Sequence, residues 1–367
     1  MKIVIFGLTI SSSWGNGHAT LWRGLCKRLA ECGHRVIFYE QDVPYYAGAR
    51  DLHELPGGEL VLYQTWEDVQ WRARLDVDDA DVAMVTSYCP HGIAAGRLLQ
   101  ESGSALRVFY DLDTPITLSK VQRGEALSYI GPNGLSDFDL VLSYTGGKAL
   151  EQLRERLGAR RVAPLYGHVD PDVHKPATPA PHYRADLCYL GTFAADRQQA
   201  LEALFIEPAR RQPQRRFLMG GAQYPQEFPW SPNVFFVRHL PPSEHPAFFS
   251  SSRLTLNVTR REMARMGWCP SGRLFEAAAC GTAILSDSWA GIDTFFSPGE
   301  EILTGEDAED CIGTLEIDDA ELRRIGAAAR NRVLAEHTSA RRTDDLISAL
   351  DAARRPVTTP QFARLEA

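Results

Sequence analysis

The chain alternates short, almost unbroken apolar runs with longer stretches in which apolar positions recur every third or fourth residue. That is the pattern of buried parallel strands separated by helices. Lys2 to Gly7 reads as a first strand. The polar loop LTISSSWGNGH follows, then a helix with Leu21, Leu25, Leu29 and Cys32 at helical spacing, ended by Gly33. Arg35 to Glu40 is the second strand. Leu60 to Tyr63, Val82 to Ser87 and Leu106 to Tyr110 read as strands each followed by a loop; Phe138 to Tyr144 is another, Gly146 to Leu157 a helix, and Arg161 to Pro164 the last strand of this series. A second series runs through Leu187 to Leu190, Arg216 to Gly220, Val234 to Val237, Arg253 to Val258 and Thr282 to Leu285. Before the last of these, a Pro/Gly-broken loop leads to a helix opened at Ser271. Helices at Asp318 to Glu336 and Ser339 to Arg355 close the pattern, and from about Val357 the tail is expected to dock loosely or fray.

Between the two series, Pro171, Pro176, Pro179 and Pro181 mark a stiff extended linker. The spacing therefore predicts two α/β domains of Rossmann type, residues 1–174 and 175–367, with a cleft between them. Open α/β sheets bind ligands at the carboxyl edge of their strands.

Composition narrows the classes. With 367 residues, 44% hydrophobic and 23% charged, the chain suits two ordinary cores, and neither disorder nor a fibrous repeat. A formal net charge of −8 argues against general nucleic-acid binding, which needs phosphate neutralisation. The basic run Arg210, Arg211, Arg215 and Arg216 reads as a solvated helix end. Seven scattered cysteines with no Cys-x-x-Cys pair fit free thiols in a reducing cytosol, not a disulfide frame or zinc site. The apolar start is too short for a signal peptide and no run approaches the ~18 residues of a membrane span, so a cytoplasmic location without an integral membrane segment is expected.

The opening strand-helix-strand unit raises a nicotinamide oxidoreductase, with Glu40 where such an enzyme places its ribose-binding acid. Gly7, Gly15 and Gly17 do not form Gly-x-Gly-x-x-Gly, however, and the loop is too long for a dinucleotide turn. The stretch Asn257 to Leu303 is more informative. Ser271 is a good N-cap, and the backbone N–H groups after it, from Gly272 and Arg273, form a ready phosphate site at the helix N-terminus. Glu276, one turn on, has the chemistry to accept a ribose diol, against the plainer reading of a solvated Glu. The run Gly191 to Arg197 reads as opening the first helix of the second domain; Gly191 at the strand end lets backbone N–H groups approach phosphate, while Arg197 and Arg260 are cationic candidates for a diphosphate. For Arg197 the plainer alternative is pairing with Asp196.

The run from Ser271 to Asp287 (SGRLFEAAACGTAILSD), with Gly291 and Pro298 to Leu303, resembles the donor-site signature of nucleotide-sugar glycosyltransferases of the B fold (GT-B), closest to the group that includes the spore-maturation protein CgeB. Gly15-Asn-Gly-His18-Ala-Thr, the run Tyr166 to Pro176 and Asp111-Leu-Asp113-Thr-Pro115 resemble further segments of these proteins. The resemblance implies two Rossmann-like domains, the last helix crossing back onto the first, and a ribose held by Glu276. It also implies a general-base role for His18, which is chemically apt, since imidazole titrates near neutrality and a helix N-terminus favours its neutral form; the plainer alternative is a histidine that only hydrogen-bonds the loop. Asp113 is a candidate to orient His18, against the plainer reading of an Asx turn that breaks the chain before Pro115. Asn16, Gly17 and Asp111 are cleft or acceptor candidates. An Asp-x-Asp metal-diphosphate site at Asp111 and Asp113 is set aside, since that motif belongs to another fold. Many retaining members carry a Glu where this chain has Trp268, so retention is not implied.

The expected function is transfer of a sugar from a nucleoside diphosphate, UDP or dTDP, to an unidentified glycan, lipid, protein or small-metabolite acceptor. No metal or cofactor is expected, nor a nucleic-acid partner, and inversion is slightly favoured. A nucleotide-sugar epimerase of the same fold and a non-catalytic nucleotide-sugar-binding relative are the alternatives.

Overall fold

A computed structural model describes residues 1–103 and 105–355; the expected fraying from Val357 lies outside the described residues. Two wholly parallel sheets account for the strands. The first contains β1 (Lys2–Gly7), β2 (Arg35–Gln41), β3 (Glu59–Tyr63), β4 (Val82–Thr86), β5 (Leu106–Asp111), β6 (Leu140–Ser143) and β7 (Val162–Pro164), in the order β3-β2-β1-β4-β5-β6-β7. The second contains β8 (Ala185–Leu190), β9 (Phe217–Gly221), β10 (Val234–Arg238), β11 (Ser252–Asn257), β12 (Ala283–Ser286) and β13 (Leu303–Thr304), in the order β10-β9-β8-β11-β12-β13.

Each central strand buries both faces, which is why it reads as a continuous apolar run. In the first sheet Val4, Phe6, Val85 and Phe109 enter one core layer, and Ile3, Ile5, Met84 and Val108 the other. In the second, Leu187, Tyr189, Leu254 and Leu256 face one layer while Cys188, Leu218 and Ile284 face its opposite. Residues 165–184 join the sheets, and the expected boundary at residue 175 lies in this stretch.

The last helix, Ser339–Arg354, returns to the first domain. Leu346, Leu350 and Ala353 share a core layer with Leu21, Trp22 and Leu25 of the helix His18–Glu31. Gly24 makes the close approach possible: a Cβ there would meet Ser339 Oγ at 2.5 Å.

Several expectations need correction. The stretches after β3, β4 and β5 are not plain loops but carry the helices Trp66–Asp78, Gly92–Glu101 and Thr114–Gln122. Pro115 suggested a break, yet proline fits the first turn of a helix, where no N–H is required. The Pro/Gly-broken loop after β11 contains a helical turn and a half, Arg261–Met266. Gly191 does not open a helix; Thr192 to Ala194 stay irregular and a 3₁₀ turn begins at Ala195. Phe138 precedes β6, packing into the core from outside the strand. The four arginines at the helix end are largely occupied, Arg210 by Glu202, Arg211 by Glu309, Arg215 by Asp186 and Glu316, and Arg216 over the Phe235 ring.

Candidate active site

In each sheet the strand order reverses direction beside the first strand of its domain, between β1 and β4 and between β8 and β11. Crevices outside the carboxyl ends of the strands form at such points. The two crevices face each other across a cavity of about 470 Å³, lined from one side by the loop after β1, Tyr88 and Asp113, and from the other by residues following β8 and β11 and by the helix Gly272–Ala279.

The long polar loop after β1 owes its shape to Glu40. This carboxylate is fully buried and accepts hydrogen bonds from Thr9 Oγ1 (2.7 Å), Ile10 N (2.8 Å), Ser11 N (3.0 Å) and Ser11 Oγ (2.6 Å). It is a structural acid here, with its lone pairs spent on the loop, so no ribose role remains for it. Farther along the loop, Asn16 Oδ1 accepts from His18 N at 3.1 Å, and Asn16, Gly17 and His18 all line the cavity. His18 Nε2 lies 3.9 Å from Asp113 Oδ1, so the imidazole and the carboxylate expected to orient it do face each other.

Asp111 does not reach the cleft, contrary to its expected place there. It is fully buried at the end of β5, accepting from Thr117 Oγ1 (3.0 Å) and Asp113 N (3.2 Å), and burial pushes its carboxyl up to about 7. The backbone turn that aims Asp113 at His18 turns Asp111 into the core. The Asp-x-Asp pair therefore does not present two carboxylates to the cavity.

On the opposite wall, Ser271 caps the helix Gly272–Ala279, accepting from Arg273 N at 3.4 Å. Arg273 donates through Nη1 to Asn257 Oδ1 (2.8 Å), through Nε to the Leu190 carbonyl, and lies over the Tyr189 ring at 4.9 Å, tying β8 to β11. Gly191 is small for a reason: a Cβ would meet Tyr189 Oη at 2.7 Å and Arg273 Nη2 at 2.8 Å. Arg197 lines the cavity and donates to the Thr192 carbonyl at 3.1 Å. Asp196 pairs instead with Arg260, at 2.9 Å. Both cations thus stay at the cavity wall, Arg197 without a carboxylate partner among the described residues.

Glu276 is not a solvated residue. Thr20 Oγ1, from the first domain, donates to its Oε1 at 3.0 Å; His174 Nε2 lies 3.8 Å and His245 Nδ1 3.6 Å away. Burial opposes its charge, but His174, His245 and Thr20 outweigh burial and hold it below the usual carboxylate range. Thr20, His174, His245, Tyr88 and Tyr144 were not singled out in the sequence. Thr20 and His174 sit inside segments already noted, but nothing local says that they converge on a residue more than 100 positions away.

Trp268 does not line the cavity. Held at a φ of +46°, its indole is pressed between Gly147 of the first domain and Gly291 of the second, where a Cβ on either glycine would approach it to 2.5 Å. Its carbonyl accepts from Gly146 N at 3.0 Å. The residue is an interdomain contact.

Comparison with solved structures matches this arrangement over nearly the whole chain. The sucrose-phosphate synthase of Thermosynechococcus elongatus is similar at a TM-score of 0.69 and 15% identity, covering 96% of this chain and 100% of that one. An alpha-glucosyltransferase in complex with UDP-glucose and DNA containing an abasic site gives 0.70 and 13%, covering 96% and 99%. Anabaena HepE in complex with UDP-glucose gives 0.67 and 12%, covering 96% and 100%.

The fold is that of the GT-B glycosyltransferases. Residues 197–348 of this GT-B chain also match the model of a family described as glycosyl transferase-like, and fold and family model together indicate a glycosyltransferase. No curated protein matches the sequence. Among the described residues, no helix of this GT-B chain is long and apolar enough to cross a membrane.

Proposed function

We propose that the protein transfers a sugar from a nucleoside-diphosphate sugar, UDP- or dTDP-linked, to an acceptor bound on the first domain. One observation carries this reading: a single cavity joins a capped helix N-terminus and Glu276 on one wall to His18 and Asp113 on the other. A diphosphate suits the N–H groups after Ser271, together with Arg197 and Arg260. The ribose diol goes to Glu276, whose carboxylate has lone pairs left beyond the Thr20 hydrogen bond. The UDP-glucose complexes of the structural relatives support a uridine nucleotide.

His18 acts as the general base in this reading, with Asp113 holding it, and transfer inverts the anomeric centre. Inversion needs a base on the face opposite the leaving diphosphate, and His18 faces the donor wall across the cavity. The diphosphate charge is met by helix and arginines, with no bridging metal. The motif from Ser271 to Asp287 supports a place in the CgeB-like group, and seven free cysteines support a cytoplasmic location. The acceptor class stays open among glycan, lipid, protein and small metabolite.

A thermal-shift screen of nucleotide sugars tests the donor side. A ligand at about 100 times its Kd adds about 2.7 kcal/mol of stability. A UDP- or dTDP-sugar should raise the melting temperature in the presence of EDTA. No shift with any nucleotide sugar, or a shift abolished by EDTA and restored by manganese, would overturn the reading.

A further inference from the structure

His174, in the segment between the sheets, His245, at the start of the helix His245–Ser250, and Glu276 bring one ligand atom each to within 4.8 Å of one another. The separations are 3.3 Å between His174 Nε2 and His245 Nδ1, 3.8 Å from His174 Nε2 to Glu276 Oε1, and 3.6 Å from His245 Nδ1 to Glu276 Oε2. Ligands at about 2.0 to 2.1 Å from a tetrahedral ion stand roughly 3.3 Å apart, so the three atoms already sit close to the edges of such a polyhedron.

The surrounding hydrogen bonds favour the same occupant. His245 Nε2 lies 3.3 Å from the Leu240 carbonyl, which has only lone pairs to offer, so Nε2 carries the ring proton and the Nδ1 lone pair points inward. Glu276 is oriented by Thr20 Oγ1 at 3.0 Å. A backbone carbonyl behind an imidazole and a hydroxyl behind a carboxylate are the outer partners that metal ligands usually have. In the neutral protein a single proton, on His174 Nε2, is left for a space faced by His245 Nδ1 and the two carboxylate oxygens. Their convergence calls for a cation.

We propose that His174, His245 and Glu276 form a three-ligand site for a divalent ion of the zinc class at the wall of the cavity. His245 and Glu276 line the cavity while His174 lies behind them, so the fourth coordination position opens towards it. Two imidazoles and a carboxylate suit zinc or cobalt better than magnesium or calcium, which take oxygen ligands. On binding, the His174 proton moves to Nδ1, which is buried without a partner among the described residues, and this sets the main cost. The site shares Glu276 with the donor reading but does not rest on it, since the metal would take one of the lone pairs that the Thr20 bond leaves.

Full-length protein stripped with EDTA and dialysed free of it is titrated with cobalt(II). One equivalent should bind with visible d–d absorption of four- or five-coordinate intensity and no thiolate charge-transfer band, and zinc should bleach it. His174→Gln and His245→Gln should each abolish the signal. Thr20→Val, which of the three ligands touches only the carboxylate and otherwise loses a long contact with the Gly17 carbonyl at 3.4 Å, should weaken binding roughly 10- to 100-fold. Circular dichroism identifies any variant that fails to fold, and Thr20→Val supplies a milder perturbation in that event. Absence of stoichiometric cobalt binding to folded wild type, or binding unchanged in folded His174→Gln and His245→Gln, overturns the proposal. His174→Gln also separates the two readings: loss of cobalt with nucleotide affinity retained supports the metal site, whereas a wild type that binds cobalt but no nucleotide sugar sinks only the donor reading.

Discussion

Replacing Glu276 by Ala removes a carboxylate that the structure holds ionised at the cavity wall, and the cost to nucleotide binding can be worked out from its present partners. Of about four lone-pair positions, one accepts from Thr20 at 3.0 Å, while the two histidine nitrogens stand at 3.6 and 3.8 Å, beyond hydrogen-bonding distance. Acceptors therefore remain for a ribose diol without breaking an existing bond. A hydrogen bond to a charged group contributes about 1.5 to 3 kcal/mol, which converts to a loss of roughly 10- to 150-fold in affinity. Folding stability should fall through the lost Thr20 hydrogen bond to a charged group, about 1.5 to 3 kcal/mol, together with the weaker attraction of His174 and His245. Glu276→Gln keeps an acceptor for Thr20 but loses the charge, so its affinity should lie between the two. Calorimetric titration with UDP measures the effect, and a denaturation curve on each variant checks the fold. A folded Glu276→Ala protein that binds UDP within twofold of wild type would refute the ribose role.

His18→Ala should reduce turnover by roughly 10²- to 10⁴-fold while leaving donor affinity near wild type, and proton NMR should show a product of opposite anomeric configuration to the donor; near-normal turnover, or retained configuration, would remove His18 from the base role. Burial raises the Asp111 carboxyl from its ordinary 3.8 to about 7, so the folded chain holds this proton more tightly than the unfolded chain. That contribution to stability is complete below pH about 4 and lost as pH rises to about 7, so urea denaturation should show the stability difference between wild type and Asp111→Asn moving by about 4 kcal/mol across that window, in favour of the variant at high pH; a parallel pH dependence for the two proteins would contradict it. Gly24→Val drives a side chain against Ser339 Oγ, which is fixed by His168 Nδ1 (3.0 Å) and the Val169 carbonyl (3.1 Å), and should destabilise by about 1 to 3 kcal/mol in the same assay; unchanged stability would mean that the last helix does not depend on this contact.

Most strands, the long helices and the capped start at Ser271 were legible in the sequence, because each follows from a local rule: a strand buried on both faces must be apolar throughout, and a helix facing one core must repeat every three to four residues. The helices after β4 and β5 were missed because a Pro or Gly near an element's start looks like a break in sequence, although in space it only marks the first turn; the helix after β3 has no such residue and opens on a capping box at Thr65 and Asp68, a local signal that was legible and not read.

The site divides along the same line. Ser271 and His18 stand at helix starts after strands, and Glu276 one turn beyond Ser271, positions that any doubly wound α/β chain brings to the carboxyl edge of a sheet, so the sequence alone was enough to nominate them. Sequence could not decide that Asp113 faces His18 while Asp111 turns into the core, that Glu40 spends its carboxylate on a loop, or that Trp268 wedges between two glycines of different domains. Nor could it bring Thr20 to Glu276, 256 residues away, or His174 to His245. Such contacts depend on how the two sheets meet, and that docking is fixed by side-chain volume and hydrogen bonding at the interface, for which a linear pattern of apolar and polar residues carries no coordinate.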